Sequence, residues 1–195
     1  MTEKFFGKYR IPSARMQNWN YGSNAAYFVT ICTKNREHIF GIIENGEMIL
    51  NEIGKKAEIC LIEIPVHFPF VEMGAFVVMP NHVHAIIAIK KPCKSGETVE
   101  TQNFASLLRI HLSLKQKSQS SKQSGNKFGP QSENLASIVR GYKIGVTKFA
   151  KTIHPGFAWQ PRYYDHIIRN SISLEKIQNY IYNNPINWMN DKFNK

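Results

Sequence analysis

The chain has 195 residues, of which 43% are hydrophobic, and this is enough for one domain with a buried core. The sequence has no apolar run of membrane-spanning length and no signal-peptide pattern, so we expect a cytoplasmic protein. It also has no C-x-x-C pair, so we expect its three cysteines to be reduced thiols. Its net charge of +11 favours a polyanionic partner such as nucleic acid, although a generic basic surface or charge gathered in a disordered insertion gives the same total.

The first part of the chain predicts strands, a hairpin and a helix. Residues Lys4 to Trp19 mix basic and aromatic side chains, which suits phosphate contacts with base stacking and equally an ordinary N-terminal arm. Residues 25–33 are β-branched and aromatic, as in a strand, and Asn45-Gly46 between two apolar runs is typical of a tight hairpin. Helical spacing then runs from Asn51, a predicted N-cap, to about Pro65, which we expect to stop the helix.

Residues 76–89 are the stretch around which the chain is organised. Two apolar, β-rich runs are separated by Met79-Pro80-Asn81, and proline belongs in a turn or at a strand edge. Because side chains alternate along a strand, His82 and His84 lie on one face, where both imidazoles can reach a single divalent ion. Two satisfied core histidines would have the same spacing. Both faces of this second run are otherwise apolar, which predicts a central strand covered by helices.

The regular pattern is lost at about 92–133. Residues 118–127 form a polar, low-complexity tract that cannot bury enough surface to order itself. We expect one domain over residues 1–195 that carries this stretch as a mobile insertion, with a short helix at 104–114.

A long amphipathic helix is predicted after Asn134, ending before Pro155. Its apolar positions recur at helical spacing. They are Leu135, Ile138, Val139, Tyr142, Val146 and Phe149. Arg140 and Lys143 lie on another flank, either as contacts to a nucleic-acid backbone or as part of a solvated face. Arg162 and Arg169 belong to a segment dense in groups that contact nucleic acid.

The last helix is predicted over 174–184, capped by Ser173 and closed by Pro185. Tyr180 and Asn184 lie one turn apart beside its buried stripe, whereas Tyr182 points toward solvent. A tyrosine packed at the edge of the core would have the same position. Together with the histidine pair, however, these residues predict a phosphoryl-transfer site: two imidazoles and an amide oxygen hold Mg²⁺ or Mn²⁺, and the phenol attacks phosphorus.

Three motifs carry a resemblance to a known family. The segments 79–84, 159–169 and 180–185 occur in the order found in the single-tyrosine HUH transposases similar to insertion sequence 200. They resemble most narrowly the REP-associated tyrosine transposase branch. The resemblance implies a ferredoxin-like α+β domain with an antiparallel sheet, acting on single-stranded DNA that folds into hairpins, as a monomer or a homodimer.

The resemblance also implies roles for individual residues. His82 and His84 become the metal pair, Tyr180 the nucleophile, and Asn184 the polar residue that completes the coordination. Members of the family cut one strand, keep its 5′ end as a phosphotyrosine and leave a free 3′-OH. Two rival hypotheses remain: a domesticated relative that binds hairpin DNA or RNA without cutting it, and a metal-dependent hydrolase that uses water and forms no protein–DNA adduct.

Overall fold

The computed structural model describes residues 19–92 and 132–194, together with Met16 and the backbone of two short N-terminal strands. Most of the predicted insertion at 92–133, including its helix at 104–114, lies outside the described residues, as does Cys93. The strands are β1 (Lys4–Phe5), β2 (Lys8–Tyr9), β3 (Ala25–Cys32), β4 (Gly41–Glu44), β5 (Glu47–Leu50), β6 (Val71–Met79), β7 (His82–Ile89) and β8 (Tyr164–Ile168). The helices are α1 (Glu52–Ile62), α2 (Ile64–His67), α3 (Leu135–Ile153) and α4 (Ser171–Tyr182), with 3₁₀ turns at Lys34–Arg36 and Trp188–Asn190.

Four of the strands form the central sheet, in the order β6-β7-β3-β8, and every neighbouring pair is antiparallel. Along the chain these strands alternate with α1 and α3 in the β-α-β-β-α-β sequence of a ferredoxin-like fold. Strands β4 and β5 form a separate hairpin with Asn45-Gly46 at its turn. The predicted α+β fold is therefore confirmed, and β7 is a central strand as expected.

The two faces of the sheet are covered by different helices. On one face, Tyr27, Val29 and Ala85 belong to a core cluster that also contains the buried residues of α1 and α3. On the other face, Phe28 and Ile86 pack with Leu174 and Ile181 of α4. Because β7 residues alternate between these faces, His82 and His84 lie on the side of Ile86, which is the side of α4.

Helix α3 begins as the sequence predicts, but two helix boundaries differ. Asn134 accepts a hydrogen bond from the backbone N–H of Ser137 at 2.9 Å, as an N-cap does. In α4 the N-cap is Asn170, which accepts from the N–H of Ser173 at 2.8 Å, so the assignment of Ser173 as the cap is wrong. Asparagine caps a helix as well as serine does, and the helix therefore starts three residues earlier. Helix α1 ends at Ile62, three residues before Pro65, and Pro65 itself lies in the first turn of α2, where no N–H is needed.

Among the described residues, no helix is both long enough and apolar enough to cross a membrane. The predicted stripe of α3 is buried at five positions, whereas Phe149 is half-buried at the rim.

Candidate active site

The centre of the site is the histidine pair at the start of β7. His82 and His84 are 0% and 1% exposed, and their ring centroids are 4.5 Å apart. The tight turn at Pro80-Asn81 joins β6 to β7, with Met79 paired to His82. The turn and the pleat of the strand together bring both rings to one point on the sheet, as the sequence predicts.

Each histidine is held by a polar neighbour through its Nδ1 atom. The Asn81 amide nitrogen donates to the backbone carbonyls of Arg36 and Phe193, at 3.1 and 2.8 Å. Its Oδ1 atom therefore faces His82 Nδ1, 2.8 Å away, and must accept a hydrogen bond from it. Thr30 Oγ1 lies 2.9 Å from His84 Nδ1. With Nδ1 of His82 protonated, its Nε2 keeps a lone pair, which is the form that binds a metal.

Helix α4 and the turn after it bring the predicted partners to the histidines. Tyr180 Oη lies 3.2 Å from His84 Nε2. Asn184 lies just beyond the end of α4, is 2% exposed, and donates from Nδ2 to Asp191 Oδ2 at 3.0 Å. Two pairs of side chains thus meet at one place in a single chain, although 96 positions in the sequence separate His84 from Tyr180.

Two buried acceptor atoms of this group lack a hydrogen-bond partner among the described residues: His82 Nε2 and Asn184 Oδ1. A buried acceptor without a partner is costly, so these two acceptor atoms fit a site that donates electron pairs to a cation. The ligand atoms of His82, His84 and Asp191 all lie within 4.8 Å of one another. Imidazole and carboxylate groups this close could hold a divalent metal ion, and the amide oxygen of Asn184 is a suitable further donor.

Asp191 was not predicted from the sequence. It lies after α4, beyond a turn and the 3₁₀ helix Trp188–Asn190, and it reaches the site because this segment folds back onto the histidines. The only hint in the sequence is that a carboxylate follows Asn184 by seven residues. The segment between them has no α-helix or strand repeat, so its spacing does not predict where the carboxylate lies.

The electrostatics of the site favour neutral imidazoles. Burial lowers the pKa of His82 from 6.5 to about 4, against the opposing effect of the Asp191 carboxylate. Burial, and next the neighbouring His82, hold the pKa of His84 well below its ordinary value. Burial and the charge of Asp191 raise the pKa of Tyr180, so its phenol is protonated at neutral pH in this form. Neutral imidazoles are the state in which histidine donates to a metal.

The C-terminal segment covers one side of the site. The Phe193 ring lies 4.6 Å from the His82 ring and 5.8 Å from the His84 ring, centroid to centroid. The Trp188 ring lies 6.1 Å from His82. Arg36 Nη1 donates to the Lys192 carbonyl at 2.8 Å and holds the segment in place, together with the bond from Asn81.

The basic residues singled out in the sequence lie away from the histidines. Arg140, Lys143 and Arg162 line one groove of about 500 Å³ on the outer side of α3, which packs on the opposite face of the sheet. The Lys143 ammonium donates to the carbonyls of Gln160 and Arg162, at 2.9 and 2.8 Å, and so ties this loop to the helix. Arg169 is not in the groove; its guanidinium donates to Met16 Sδ at 3.2 Å.

The described residues therefore define a class: a ferredoxin-like α+β protein with a buried histidine pair, a carboxylate and a phenol at one point of its sheet. No protein-family model matches the sequence. An uncharacterized protein of Haemophilus influenzae is 39% identical over 194 residues, which cover 98% of either chain. This chain belongs to the same protein family as that Haemophilus influenzae protein.

Two solved structures align with this chain. A REP-associated tyrosine transposase bound to a REP hairpin aligns with a TM-score of 0.53 over 91% of this chain and 74% of its own, at 18% identity. A candidate transposase from Deinococcus radiodurans R1 aligns with a TM-score of 0.42 over 88% of this chain and 97% of its own, at 15% identity. At 18% identity, the first likeness shows that the fold is shared.

Proposed function

We propose that this protein is a DNA transposase, a metal-dependent strand transferase that cuts single-stranded DNA through a covalent link to Tyr180. The observation that carries the proposal is the 3.2 Å separation of Tyr180 Oη from His84 Nε2, beside two buried acceptor atoms without partners among the described residues. A phenol beside side chains that could hold a metal ion suits covalent phosphoryl transfer, because the phenol can act as the nucleophile and the ion can polarise the phosphate.

The proposed reaction uses the phenol of Tyr180 as nucleophile. Its oxygen forms a bond to phosphorus while the bond from phosphorus to the 3′ oxygen breaks. The phenol proton passes to solvent, and the departing oxygen takes up a proton to become a free 3′-OH. The product is a 5′-phosphotyrosine. A 3′-OH can later attack the same phosphorus and release the phenol, so cleavage and rejoining need no external energy source.

The metal would be Mg²⁺ or Mn²⁺, held by His82, His84 and Asn184, with Asp191 as a fourth candidate ligand. When bound, such an ion polarises the phosphodiester and favours the phenolate. Asn81 and Thr30 keep the two imidazoles oriented toward it. The histidines themselves are buried, whereas Tyr180 is 41% exposed, so the phenol lies where the dry ligand atoms meet the accessible surface.

The proposed substrate is single-stranded DNA that carries a hairpin. The shared fold with a transposase bound to a REP hairpin supports this substrate class. Arg140, Lys143 and Arg162 are candidate phosphate contacts in the groove along α3, and Arg169 is a separate one. Lys143 already donates to two carbonyls, so its main effect in the groove is a fixed positive charge.

All of the proposed catalytic groups belong to one copy of the chain, which supports a Tyr180 that acts in cis, in a monomer or in each subunit of a homodimer. We further propose that the chain is one domain with residues 92–133 as an insertion. We also propose that the protein is cytoplasmic and associates with the nucleoid, where it would meet its DNA substrate.

The test uses a pool of single-stranded hairpins with randomised flanks, labelled at the 3′ end. With Mn²⁺ we expect a labelled protein band that resists denaturation in SDS, because the strand 3′ of the cut stays on the protein. The band should vanish with EDTA and in Tyr180→Phe. The matched control is Tyr182→Phe, since Tyr182 is 65% exposed and belongs to the same helix. A band that persists in Tyr180→Phe would overturn the assignment of the nucleophile.

A second candidate is a protein that binds hairpin DNA or RNA without cutting it. The packing of Phe193 and Trp188 against His82 favours it, because these rings occupy one side of the site. Binding without cutting predicts equal affinity in EDTA and Mn²⁺ and no labelled protein band, whereas the transferase predicts the band only with Mn²⁺. A water-using hydrolase would shorten the DNA with Mn²⁺ and leave the protein unlabelled.

A further inference from the structure

Helix α4 leaves part of its sheet face uncovered. Its buried residues pack on Phe28, Ile86 and Ile168, among others. Strand β8 is at the edge of the sheet, and its pairing with β3 places Tyr164 opposite Thr30 and His166 opposite Phe28. Both side chains are therefore on the same face as the histidine pair. Both are exposed, so this edge of the face is open to solvent in the part of the chain that the structure describes.

Aromatic rings connect Tyr164 to the candidate nucleophile. Tyr164 is 56% exposed, and its ring meets the Phe28 ring edge-on with centroids 6.4 Å apart. The Tyr180 ring meets the same Phe28 ring at 6.1 Å, and Phe28 stacks on His84 at 5.2 Å. Tyr164 is therefore one ring away from both the phenol and the metal-binding imidazole.

The open edge is also the accessible approach to the site. On the far side, Phe193 and Trp188 pack against His82. On the near side, Tyr180 is itself 41% exposed. Arg162, which lines the groove along α3, precedes Tyr164 by only two residues, so the Cα atoms of the two residues are at most about 7.6 Å apart. A single strand that leaves the groove can thus pass around the edge of β8 and arrive at Tyr180.

We propose that Tyr164 is a stacking platform for a nucleobase of the single strand that flanks the scissile phosphate. This inference rests on the proposed function, and it adds a base-binding site that the chemistry alone does not require. Proteins that hold single-stranded nucleic acid combine a basic groove with exposed aromatic rings on which bases stack. Tyr164 is such an exposed ring, at 56% exposure, and the groove along α3 begins two residues before it at Arg162.

The test measures stacking separately from cleavage. Binding is followed in EDTA with the Tyr180→Phe protein, using hairpin oligonucleotides that carry 2-aminopurine at successive flanking positions. The fluorescence of this base falls when it stacks on an aromatic ring. We expect strong quenching at one position, lost in Tyr164→Ala and kept in Tyr164→Phe, with the affinity of Tyr164→Ala reduced by about 5- to 100-fold. The control is Tyr182→Ala, which removes an exposed tyrosine from α4 instead of β8 and should change neither the quenching nor the affinity.

Two results would overturn the platform. The first is that Tyr164→Ala leaves both the quenching and the affinity unchanged. The second is that Tyr164→Ala and Tyr164→Phe lose quenching and affinity equally, which would assign the effect to the hydroxyl and not to the ring. Thermal unfolding of each variant shows that it is folded. The Mn²⁺ assay separates this inference from the proposed function: a labelled band with no dependence of quenching on Tyr164 refutes the platform alone. Quenching that depends on Tyr164 without any band refutes strand transfer alone.

Discussion

The hydrogen bond between Thr30 and His84 offers the sharpest test of how the metal centre is held. Thr30 and His84 are 4% and 1% exposed, and their side chains are 2.9 Å apart. Thr30→Val keeps the shape and the β-branched character that suit strand β3, and it removes only the hydroxyl. Thr30→Ser is the matched control because it keeps the hydroxyl.

Two effects should follow from Thr30→Val. His84 Nδ1 would lose its partner in a dry environment, which costs about 1–3 kcal/mol of the free energy of unfolding. The ring would also lose the contact that orients Nε2, and losing such a partner lowers metal affinity by about 10- to 100-fold. That range corresponds to about 1.4–2.8 kcal/mol of binding free energy.

The stability is measured by urea unfolding in EDTA, and the affinity by titrating Mn²⁺ and following free Mn²⁺ by electron paramagnetic resonance. Thr30→Ser should bind Mn²⁺ as tightly as the wild type, and the loss of its buried methyl group should cost about 1 kcal/mol of the free energy of unfolding. If Thr30→Val binds Mn²⁺ as tightly as Thr30→Ser does, the hydroxyl does not position His84. If neither variant nor the wild type binds Mn²⁺, the histidine pair is not a metal site.

Three further predictions concern single side chains. Asp191→Asn should weaken Mn²⁺ binding by about ten-fold or more, since a charged donor near the imidazoles is lost; an unchanged titration would exclude Asp191 from the centre. Tyr142→Phe should raise the free energy of unfolding by about 1 kcal/mol in urea, because the buried hydroxyl has no partner among the described residues. Burial raises the pKa of Tyr142 well above 10.0, so the wild type should lose further stability above pH 10, where only the unfolded chain ionises, and the variant should not share that loss. Asn170→Ala should cost about 1 kcal/mol and Ser173→Ala much less; the reverse ranking would restore Ser173 as the helix cap.

The sequence predicted those parts of the site that depend on periodic structure. Side chains in a strand repeat every two residues, so His82 and His84 had to share a face once β7 was a strand. The helical repeat likewise placed Tyr180 beside the buried stripe of Leu174 and Ile181. The order of elements and the antiparallel sheet followed from the resemblance together with these patterns.

The parts that the sequence did not predict lie where no period applies. Residues 183–194 consist of turns and a short 3₁₀ helix, and their path back to the histidines depends on contacts from Asn81 and Arg36. The positions of Asp191 and Phe193 beside the histidines therefore depend on these tertiary contacts and not on a helix or strand repeat. Asn170 and Ser173 are both good N-cap residues, and only the backbone geometry distinguishes them.

The central claim is that Tyr180 itself becomes bonded to DNA. Protein incubated with hairpin DNA and Mn²⁺ is digested with trypsin and nuclease, and the peptide carrying the remaining nucleotide is fragmented by mass spectrometry. Cleavage after Lys176 and Lys192 leaves Tyr180 and Tyr182 in one peptide, so fragment ions must separate them. We predict that the added mass lies on Tyr180. An added mass on Tyr182, or DNA that is shortened while every tyrosine peptide stays unmodified, would contradict strand transfer through Tyr180.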